Sequence, residues 1–422
     1  MKDSKGRPVV AVTGTGIVTA LGQGKKDNWD ALTSGRSGIH SITRFPTEGL
    51  RTTIGGTIDF VDVDPFNCSE LTTEIAHRAT SEAVKESGIG SPGDFPGPLF
   101  MAMPPIEMEW PLREKLLAIA GVKDKADYAD LIRASAQASE VDRIDCLFGS
   151  VGERLAEIFG TKGSPISLTT ACASGTTGIQ LAIEAIRRGE TEAALAVAAD
   201  GSMNPETMIR FSLLSALSTQ NDNPEKASRP FSKNRDGFVM AEGAAALVIE
   251  SYEHAKARGA NILGIVAGGG EKADSFHRTR SNPDGKAILG AMQAALADAG
   301  VTPDQIDYIN AHGTGTPEND KMEHFAVNTI FGERARNLPI SSNKSMIGHT
   351  LTAAGAIEAV VSLQTLEHQR LPPTINYDVP DPAIELDVVP NTARDAKVNM
   401  VMSNSFGFGG QNASLIFSTE PA

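Results

Sequence analysis

The chain has 422 residues, 41% of them hydrophobic and 21% charged, and a formal net charge of -14. That length allows a large core or two fused ones, and that charge argues against nonspecific nucleic-acid binding, which needs dense Lys and Arg. No run approaches the roughly 20 apolar residues of a membrane span, the opening MKDSKGRPVVAVTG lacks the apolar core of a secretion signal, and three widely spaced cysteines without zinc or redox spacing suit a reducing compartment. A cytoplasmic enzyme is the expectation.

PVVAVTG (8–14) reads as a first strand. GTGIVTALG (14–22) has the outline of a dinucleotide loop, but Thr19 stands where the third glycine belongs, and the match is discounted. CSELTTEIAHRATSE (68–82) is helical, and Ala-rich RATSEAVKESGI (78–89) ends at Gly88, in the usual C-terminal cap position. Pro- and Met-rich PGPLFMAMPPIEMEW opens a region near 95–145 that reads as an insertion. PISLTT then leads into TTACASG (169–175). Ile179, Ala182, Ile183 and Ile186 form a helical stripe just beyond Cys172. AALAVAAD (193–200) and AALVIE (245–250) read as strands.

The second half repeats this order. GAMQAALADAGV (290–301) is another Ala-rich helix, ending at Gly300, and IDYINAH (306–312) is a strand running into a Gly-rich turn. LPISSN precedes GHTLTAAGAIEAVVSL. There Gly355 lies as far past His349 as Gly178 lies past Cys172, and Ala356, Ala359, Val360 and Leu363 repeat the stripe at the same offsets. ASLIFS (413–418) closes the second half as AALVIE closes the first. The expectation is a duplicated α/β unit with halves at 1–258 and 259–422, built as sheets layered with helices.

A lone free cysteine is more often a packing residue than a nucleophile. Cys172, however, sits at a predicted helix N-terminus among small residues, where unpaired N–H groups and the helix dipole favour thiolate and a lowered pKa. Cys68 and Cys146 have no such context and read as packing. His349 occupies the matching place in the second half, where a helix N-terminus favours neutral imidazole. His312 follows a strand end, where α/β sheets collect catalytic groups, and Thr314 and Thr316 beside it can hydrogen-bond a polar substrate. His40, His77, His254, His277, His324 and His368 read as surface residues. Lys344 and Glu358 flank His349; buried, such a pair would orient the site, and exposed it would contribute little. NSFGFGGQN (404–412) has the glycines to bring backbone N–H groups close to an oxyanion, to gate a pocket, or simply to turn tightly into the last strand.

TTACASG, NAHGTGTPEND, NKSMIGHTLTAAGAIE and NSFGFGGQNASLIF, in that order, resemble the motifs of the β-ketoacyl-acyl carrier protein synthases, closest to the type II elongating condensing enzymes. STQNDNPEKASRPFSKNRDGFVMAEGA (218–244) and LPPTINYDVPDP (371–382) resemble that family too. The resemblance implies a thiolase fold, a five-layered αβαβα sandwich of two duplicated halves, normally dimeric. It implies that Cys172 takes an acyl chain from acyl carrier protein as a thioester, and that His312 and His349 assist decarboxylation of malonyl-acyl carrier protein. The enolate then attacks in a Claisen condensation that lengthens a fatty acyl chain by two carbons. It makes Lys344 and Glu358 a supporting pair and puts an oxyanion hole at the N–H groups of Cys172 and Phe408. Phe408 becomes the gate, with Phe406, Gly407 and Gly409 in the same loop, and Thr279, Thr314 and Thr316 become malonyl or pantetheine contacts. Neither a resident cofactor nor a metal is implied, since substrates arrive on phosphopantetheine.

Two stretches depart from the family pattern. FPGPLFMAMPPIEMEW, within 95–115, replaces a Gly-rich segment at the acyl pocket and dimer interface, and the helix at 68–82 keeps only Arg78 among Glu70, Glu74 and Glu82 where relatives carry several basic residues. Acidic surfaces repel an acidic carrier. The expectation is another basic docking patch or a specialised carrier protein, and a synthase dedicated to long or secondary acyl chains, homodimeric or paired with a second synthase. A type II polyketide ketosynthase shares every motif. A biosynthetic thiolase fits less well because both histidines match the decarboxylating pattern. A non-catalytic chain-length partner fits poorly because Cys172 is intact.

Overall fold

The computed structural model describes every residue except Pro65, Glu107, 123–126, 137–146 and Ala422; Cys146 and part of the 95–145 region therefore lie outside the described residues. Ten strands carry the architecture. The first five are β1 (Val10–Thr19), β2 (Leu99–Ala102), β3 (Ile166–Leu168), β4 (Ala193–Asp200) and β5 (Gly243–Ser251). The second five are β6 (Gly264–Ala273), β7 (Tyr308–Asn310), β8 (Ile340–Ser341), β9 (Met400–Phe406) and β10 (Gln411–Ser418).

Their spatial order is β8-β7-β9-β10-β6-β1-β5-β4-β2-β3. Read outward from the junction, each set of five runs first, fifth, fourth, second, third in its own chain order. In both sets the outer pairs are parallel, and the fourth–fifth and fifth–first pairs are antiparallel. Identical order and sense in two halves is what a duplicated unit produces. The sets join only where β1 meets β6, through Ala11↔Ile265 and Val12↔Gly264. The central strands are near-continuous apolar or small-residue runs because helices cover both faces.

Helix α1 (Cys68–Ser87) covers the outer face of the first sheet, and its Ile75, Ala76, Ala79 and Ala83 join the apolar cluster of β1, β2, β4 and β5. Gly14 and Gly16 of β1 make that approach possible. A Cβ on Gly16 would lie 2.0 Å from the Ala79 carbonyl oxygen, and one on Gly14 2.1 Å from that of Ala83. The glycines of GTGIVTALG thus serve helix–strand packing. Further helices are α2 (Trp110–Ile119), α3 (Tyr128–Ser135), α4 (Ser150–Phe159) and, after β4, α6 (Pro205–Leu213). Helix α5 (Ser174–Arg187) lies between the two sheets beside α9 (Ala354–His368), while α7 (Lys286–Ala299) and α8 (Pro317–Phe331) cover the second sheet. The layers therefore run αβαβα, a thiolase-type sandwich. Helix α9 is buried from Ala354 to Leu366, as expected of a helix apolar on all sides. Among the described residues no helix is long and apolar enough to cross a membrane.

The middle helices cross at reciprocal glycines. A Cβ on Gly175 would stand 2.6 Å from the Ala356 nitrogen, and one on Gly355 2.7 Å from the Thr176 nitrogen. This pairing corrects the repeat register read from the stripes. α5 begins at Ser174 and α9 at Ala354, so the helices correspond one turn later than a count from Cys172 and His349 suggests. A short 3-10 turn, Leu351–Ala353, fills the difference after His349. Gly175→Ala is expected to destabilise the fold by about 1–3 kcal/mol through overpacking, seen as a lower thermal midpoint. An unchanged midpoint would mean the two helices can part at no cost.

One further sequence expectation changes: Leu99–Ala102 is fully buried core strand, so the insertion begins only beyond it. The segments read at 68–82 and 78–89 form one helix, Cys68–Ser87, whose Arg78 is held by Glu74 and Gln23 rather than free for a partner. Both predicted glycine caps are present, with Gly88 at φ 60 and Gly300 at φ 71.

Candidate active site

Cys172 stands two residues before α5, after Ala171, whose backbone is left-handed at φ 51. Gly348, immediately before His349, is likewise at positive φ, 83. These turns reverse the chain as it leaves each sheet and aim both side chains into the space between the halves. There Cys172 Sγ lies 3.2 Å from His349 Nε2. His312, after the end of β7, packs edge-on to His349 with ring centroids 5.4 Å apart. All three side chains are buried, and their ligating atoms lie within 4.8 Å of one another.

Hydrogen bonds set both imidazole tautomers. The Leu351 N–H donates to His349 Nδ1 at 3.2 Å. Lys344 Nζ lies 3.4 Å from His312 Nδ1 and donates to the His312 carbonyl at 2.7 Å. With Nδ1 accepting in each ring, the proton of the neutral imidazole is on Nε2. Burial, reinforced by the Lys344 ammonium, holds both histidines well below the ordinary histidine pKa. The expectation of a neutral His349 holds, although burial is the leading cause. The site presents two neutral Nε2–H donors beside one sulfur.

Lys344 and Glu358 form a direct, fully buried ion pair. Burial nonetheless pushes the Glu358 carboxyl up to about 7, against the pull of Lys344. A residue missed in the sequence completes this layer. Glu323, buried on α8, accepts the N–H groups of His312 and Gly313 at 2.9 and 2.8 Å and fixes the turn that carries His312. The available signal was an acidic side chain on a helix directly after a catalytic-looking loop. Asp200, also missed, is buried at the end of β4 and accepts from Thr352 and Ser202 beside Cys172.

The glycine loop is the β9–β10 hairpin, Gly407–Gly410. A Cβ on Gly407 would stand 3.1 Å from the Thr170 carbonyl oxygen and 3.3 Å from the Cys172 nitrogen, tight contacts that glycine avoids as the loop approaches. The Phe408 N–H points at Cys172 Sγ. Phe406 is buried edge-on against His312 at 5.8 Å, and the Gly409 N–H is held by the Arg278 carbonyl at 2.8 Å. Turn and functional loop are thus the same object.

Two cavities meet at Cys172, and the Phe408 ring lines both. The outer one, about 50 Å³, brings together His277, Thr279, Thr314 and Thr316 with both catalytic-site histidines. Thr314 and Thr316 share a hydroxyl–hydroxyl bond of 2.8 Å, and Thr316 also caps α8. His277, read as a surface residue, lines this chamber and accepts the Thr279 N–H at 3.1 Å. The inner cavity, about 420 Å³, runs past Pro104, Pro105, Ile106, Phe211 and Leu214.

The predicted lowering of the Cys172 pKa is overturned. Burial raises the thiol to about 11, outweighing the Phe408 N–H and Lys344, which act to lower it. Cys172 rests as a thiol. Alkylation of Cys172 by iodoacetamide, followed by peptide mass mapping, is therefore expected to quicken about tenfold per pH unit from pH 7 to beyond 9. A plateau by pH 8 would show a thiolate already formed.

The family model for the beta-ketoacyl synthase N-terminal domain matches residues 7–90 and 111–255, and that for the C-terminal domain matches 263–378. Among curated proteins, a 3-oxoacyl-[acyl-carrier-protein] synthase 2 of Coxiella burnetii is 38% identical over 97% of this chain and 98% of its own length. A putative polyketide beta-ketoacyl synthase 1 of Streptomyces cyaneus is 38% identical over 98% of both. Among solved structures, a beta-ketoacyl synthase from Burkholderia phymatum superposes with a TM-score of 0.86 at 33% identity, covering 98% of this chain and 100% of that one. A type II PKS ketosynthase, solved with its acyl-carrier protein and bound to the hexaketide, gives 0.86 at 32%, with the same coverage.

Proposed function

The chain belongs to the β-ketoacyl synthase family, and from that membership we infer a 3-oxoacyl-acyl carrier protein synthase that joins a Cys172-bound acyl group to a malonyl unit. One observation supports this above the rest: two neutral imidazoles, each with Nδ1 occupied and Nε2–H left to donate, meet beside one buried sulfur, His349 Nε2 at 3.2 Å from it and a His312 ring nitrogen within 4.8 Å. Donors placed where negative oxygen develops are what a decarboxylating condensation requires.

In the first step Cys172 attacks the thioester of an acyl carrier protein. Its proton goes to the departing carrier thiolate, while the helix α5 N-terminus and the Phe408 N–H stabilise the transient thiolate. In the second, malonyl-acyl carrier protein loses CO2, and the electron pair of the broken C–C bond becomes an enolate whose oxygen is held by His312 and His349 Nε2–H. In the third, the enolate carbon attacks the Cys172 thioester. The tetrahedral oxyanion accepts from the Cys172 and Phe408 N–H groups and collapses, expelling the Cys172 thiolate, which takes one proton from solvent, the proton that the loss of CO2 from a carboxylate consumes overall. The products are a 3-oxoacyl carrier two carbons longer, CO2 and the free carrier. These steps call on no resident cofactor or metal. Thr279, Thr314 and Thr316 contact the malonyl or pantetheine portion in the outer chamber, and the acyl chain lies in the inner one.

Carrier docking is assigned to the mouth of the outer chamber. Arg278 and Arg280 are exposed there, Arg280 in the chamber lining and Arg278 tied through its carbonyl to the Phe408 turn. They offer positive charge at the chamber mouth, whereas the 68–87 helix has only Arg78, held by Glu74 and Gln23, and Lys85 in its last turn. Arg278→Glu/Arg280→Glu is expected to raise KM for the carrier protein about tenfold or more while kcat stays within about twofold; an unchanged KM would move docking elsewhere. The working assembly in this reading is a cytoplasmic homodimer, supported by the exposed Ile166 on edge strand β3, with a heterodimer with a second synthase as the alternative.

Intact-mass analysis after incubation with acyl carriers tests the function. Acylation at Cys172, followed by a 3-oxo product on adding malonyl carrier, is the expected result. Release of products from several malonyl units would favour the polyketide reading, which the Streptomyces cyaneus relative keeps in play. Absence of any Cys172 acylation would overturn both.

A further inference from the structure

The turn between His349 and α9 is tied to the other half of the molecule. Leu351 is left-handed there, at φ 47, a conformation that costs a non-glycine residue free energy and persists only where its surroundings fix it. Its N–H donates to His349 Nδ1 at 3.2 Å and so leaves the imidazole proton on Nε2. The next residue, Thr352, is held by Asp200, at the end of β4 in the first half. Asp200 Oδ2 accepts the Thr352 N–H at 3.1 Å and the Thr352 hydroxyl at 2.7 Å. Asp200 Oδ1 accepts the Ser202 N–H at 3.1 Å and the Ser202 hydroxyl at 2.6 Å, which fixes the carboxylate from its other side. Asp200 and Thr352 are 1% and 4% exposed, and hydrogen bonds so buried are strengthened by the low dielectric around them.

From this geometry, and resting on the condensing activity above, we propose that Asp200 is a positioning residue for His349: by clamping Thr352 it holds Leu351 in its left-handed turn, and Leu351 keeps the proton of His349 on Nε2. Asp200 lines the inner chamber beside Cys172, but its four acceptor sites are taken by protein donors, so it holds the turn rather than the substrate. Without the clamp the strained turn relaxes, the Leu351 N–H leaves Nδ1, and the proton can settle there instead. His349 then presents Nε2 as an acceptor, which an enolate oxygen cannot use. Loading of Cys172 does not need that donor. The Asp200 charge also acts to raise the Cys172 thiol pKa, so its removal gives loading no reason to slow. The clamp thus serves decarboxylation and not acylation.

The test compares Asp200→Ala and Thr352→Val with the wild type, and uses Thr352→Ser as the conservative variant that keeps both donors. The His349 tautomer is read by nitrogen NMR of histidine-labelled protein, with His349→Gln locating its signals. Cys172 acylation by palmitoyl-pantetheine is read by intact mass, and decarboxylation as CO2 release from malonyl-pantetheine. The wild type is expected to show His349 Nδ1 unprotonated, and both disrupting variants a population with Nδ1 protonated. Decarboxylation is expected to fall at least about tenfold in Asp200→Ala and about threefold in Thr352→Val, below the roughly hundredfold that outright loss of an oxyanion donor costs, while acylation stays within about twofold or quickens. Thr352→Ser is expected to match the wild type in all these readings. Thr352→Val exchanges one hydroxyl for a methyl and keeps the test valid if Asp200→Ala misfolds. A His349 tautomer unchanged in both disrupting variants, or acylation that falls in step with decarboxylation, overturns the proposal. A wild type that neither acylates nor decarboxylates defeats the condensing activity beneath it, and the tautomer reading then still decides the role of Asp200.

Discussion

Cys172→Ala is expected to abolish acylation and to lower condensation by about ten-thousandfold or more. In the proposed reaction both the loading and the bond-forming step pass through this sulfur, and among the described residues Cys172 is the one thiol beside the two histidines. Cys68 is not a substitute: its Sγ donates to the Glu109 carboxylate and lies outside the cluster that Cys172 forms with His312 and His349. The substitution leaves the donors to His312 and His349 in place, because Leu351 and Lys344 hold the rings independently of the sulfur. Malonyl decarboxylation without condensation should therefore persist, measured as CO2 release beside intact mass. Condensation within tenfold of the wild type would remove Cys172 from the mechanism.

Lys344→Met has the second largest expected effect. The ammonium contacts Glu358, the His312 carbonyl and His312 Nδ1 in one buried cluster. Removing it strands a buried carboxylate, at a cost of about 3–5 kcal/mol, and frees His312 to take the other tautomer, so activity falls with stability. The pH dependence has a definite sign. Glu358 already lies near 7 when folded against 4.5 for the free group, and loss of Lys344 moves it further up. A raised folded carboxyl binds more protons than the unfolded chain above about pH 4.5, so its contribution is full below that pH and is lost as pH rises. Denaturant unfolding should therefore show the deficit growing between about pH 5 and 8. Lys344→Met/Glu358→Leu is expected to recover most of the stability but not the activity. A single variant as stable as wild type at pH 8 would refute the buried-pair account.

Local sequence carried much of this. Periodicity placed the helices after Cys172 and His349, glycine caps closed two others, and motif order identified the family. The repeat was visible in the stripes, yet its register came out one turn off, because a 3-10 turn continues the helical spacing and cannot be told from it by periodicity. The thiol pKa came out in the wrong direction for a related reason: a helix N-terminus is legible in sequence, but the desolvation that outweighs it depends on packing from both halves. Glu323 and Asp200 escaped notice because each meets its partners only after folding, across the α8 turn in one case and between β4 and the turn after His349 in the other.

Phe408 has one more implication. Its ring divides the two chambers while its amide points at Cys172 sulfur, and both hang from a turn of four residues. A shift of that turn that clears the passage also withdraws the amide from the sulfur. If Phe408 is the gate that the family resemblance implies, admission and bond-making are expected to exclude one another in time, as in an airlock with one handle for two doors. The proposed oxyanion hole would then be dismantled whenever the way in is open, and an acyl thioester exposed to incoming water at that moment would be at its least reactive.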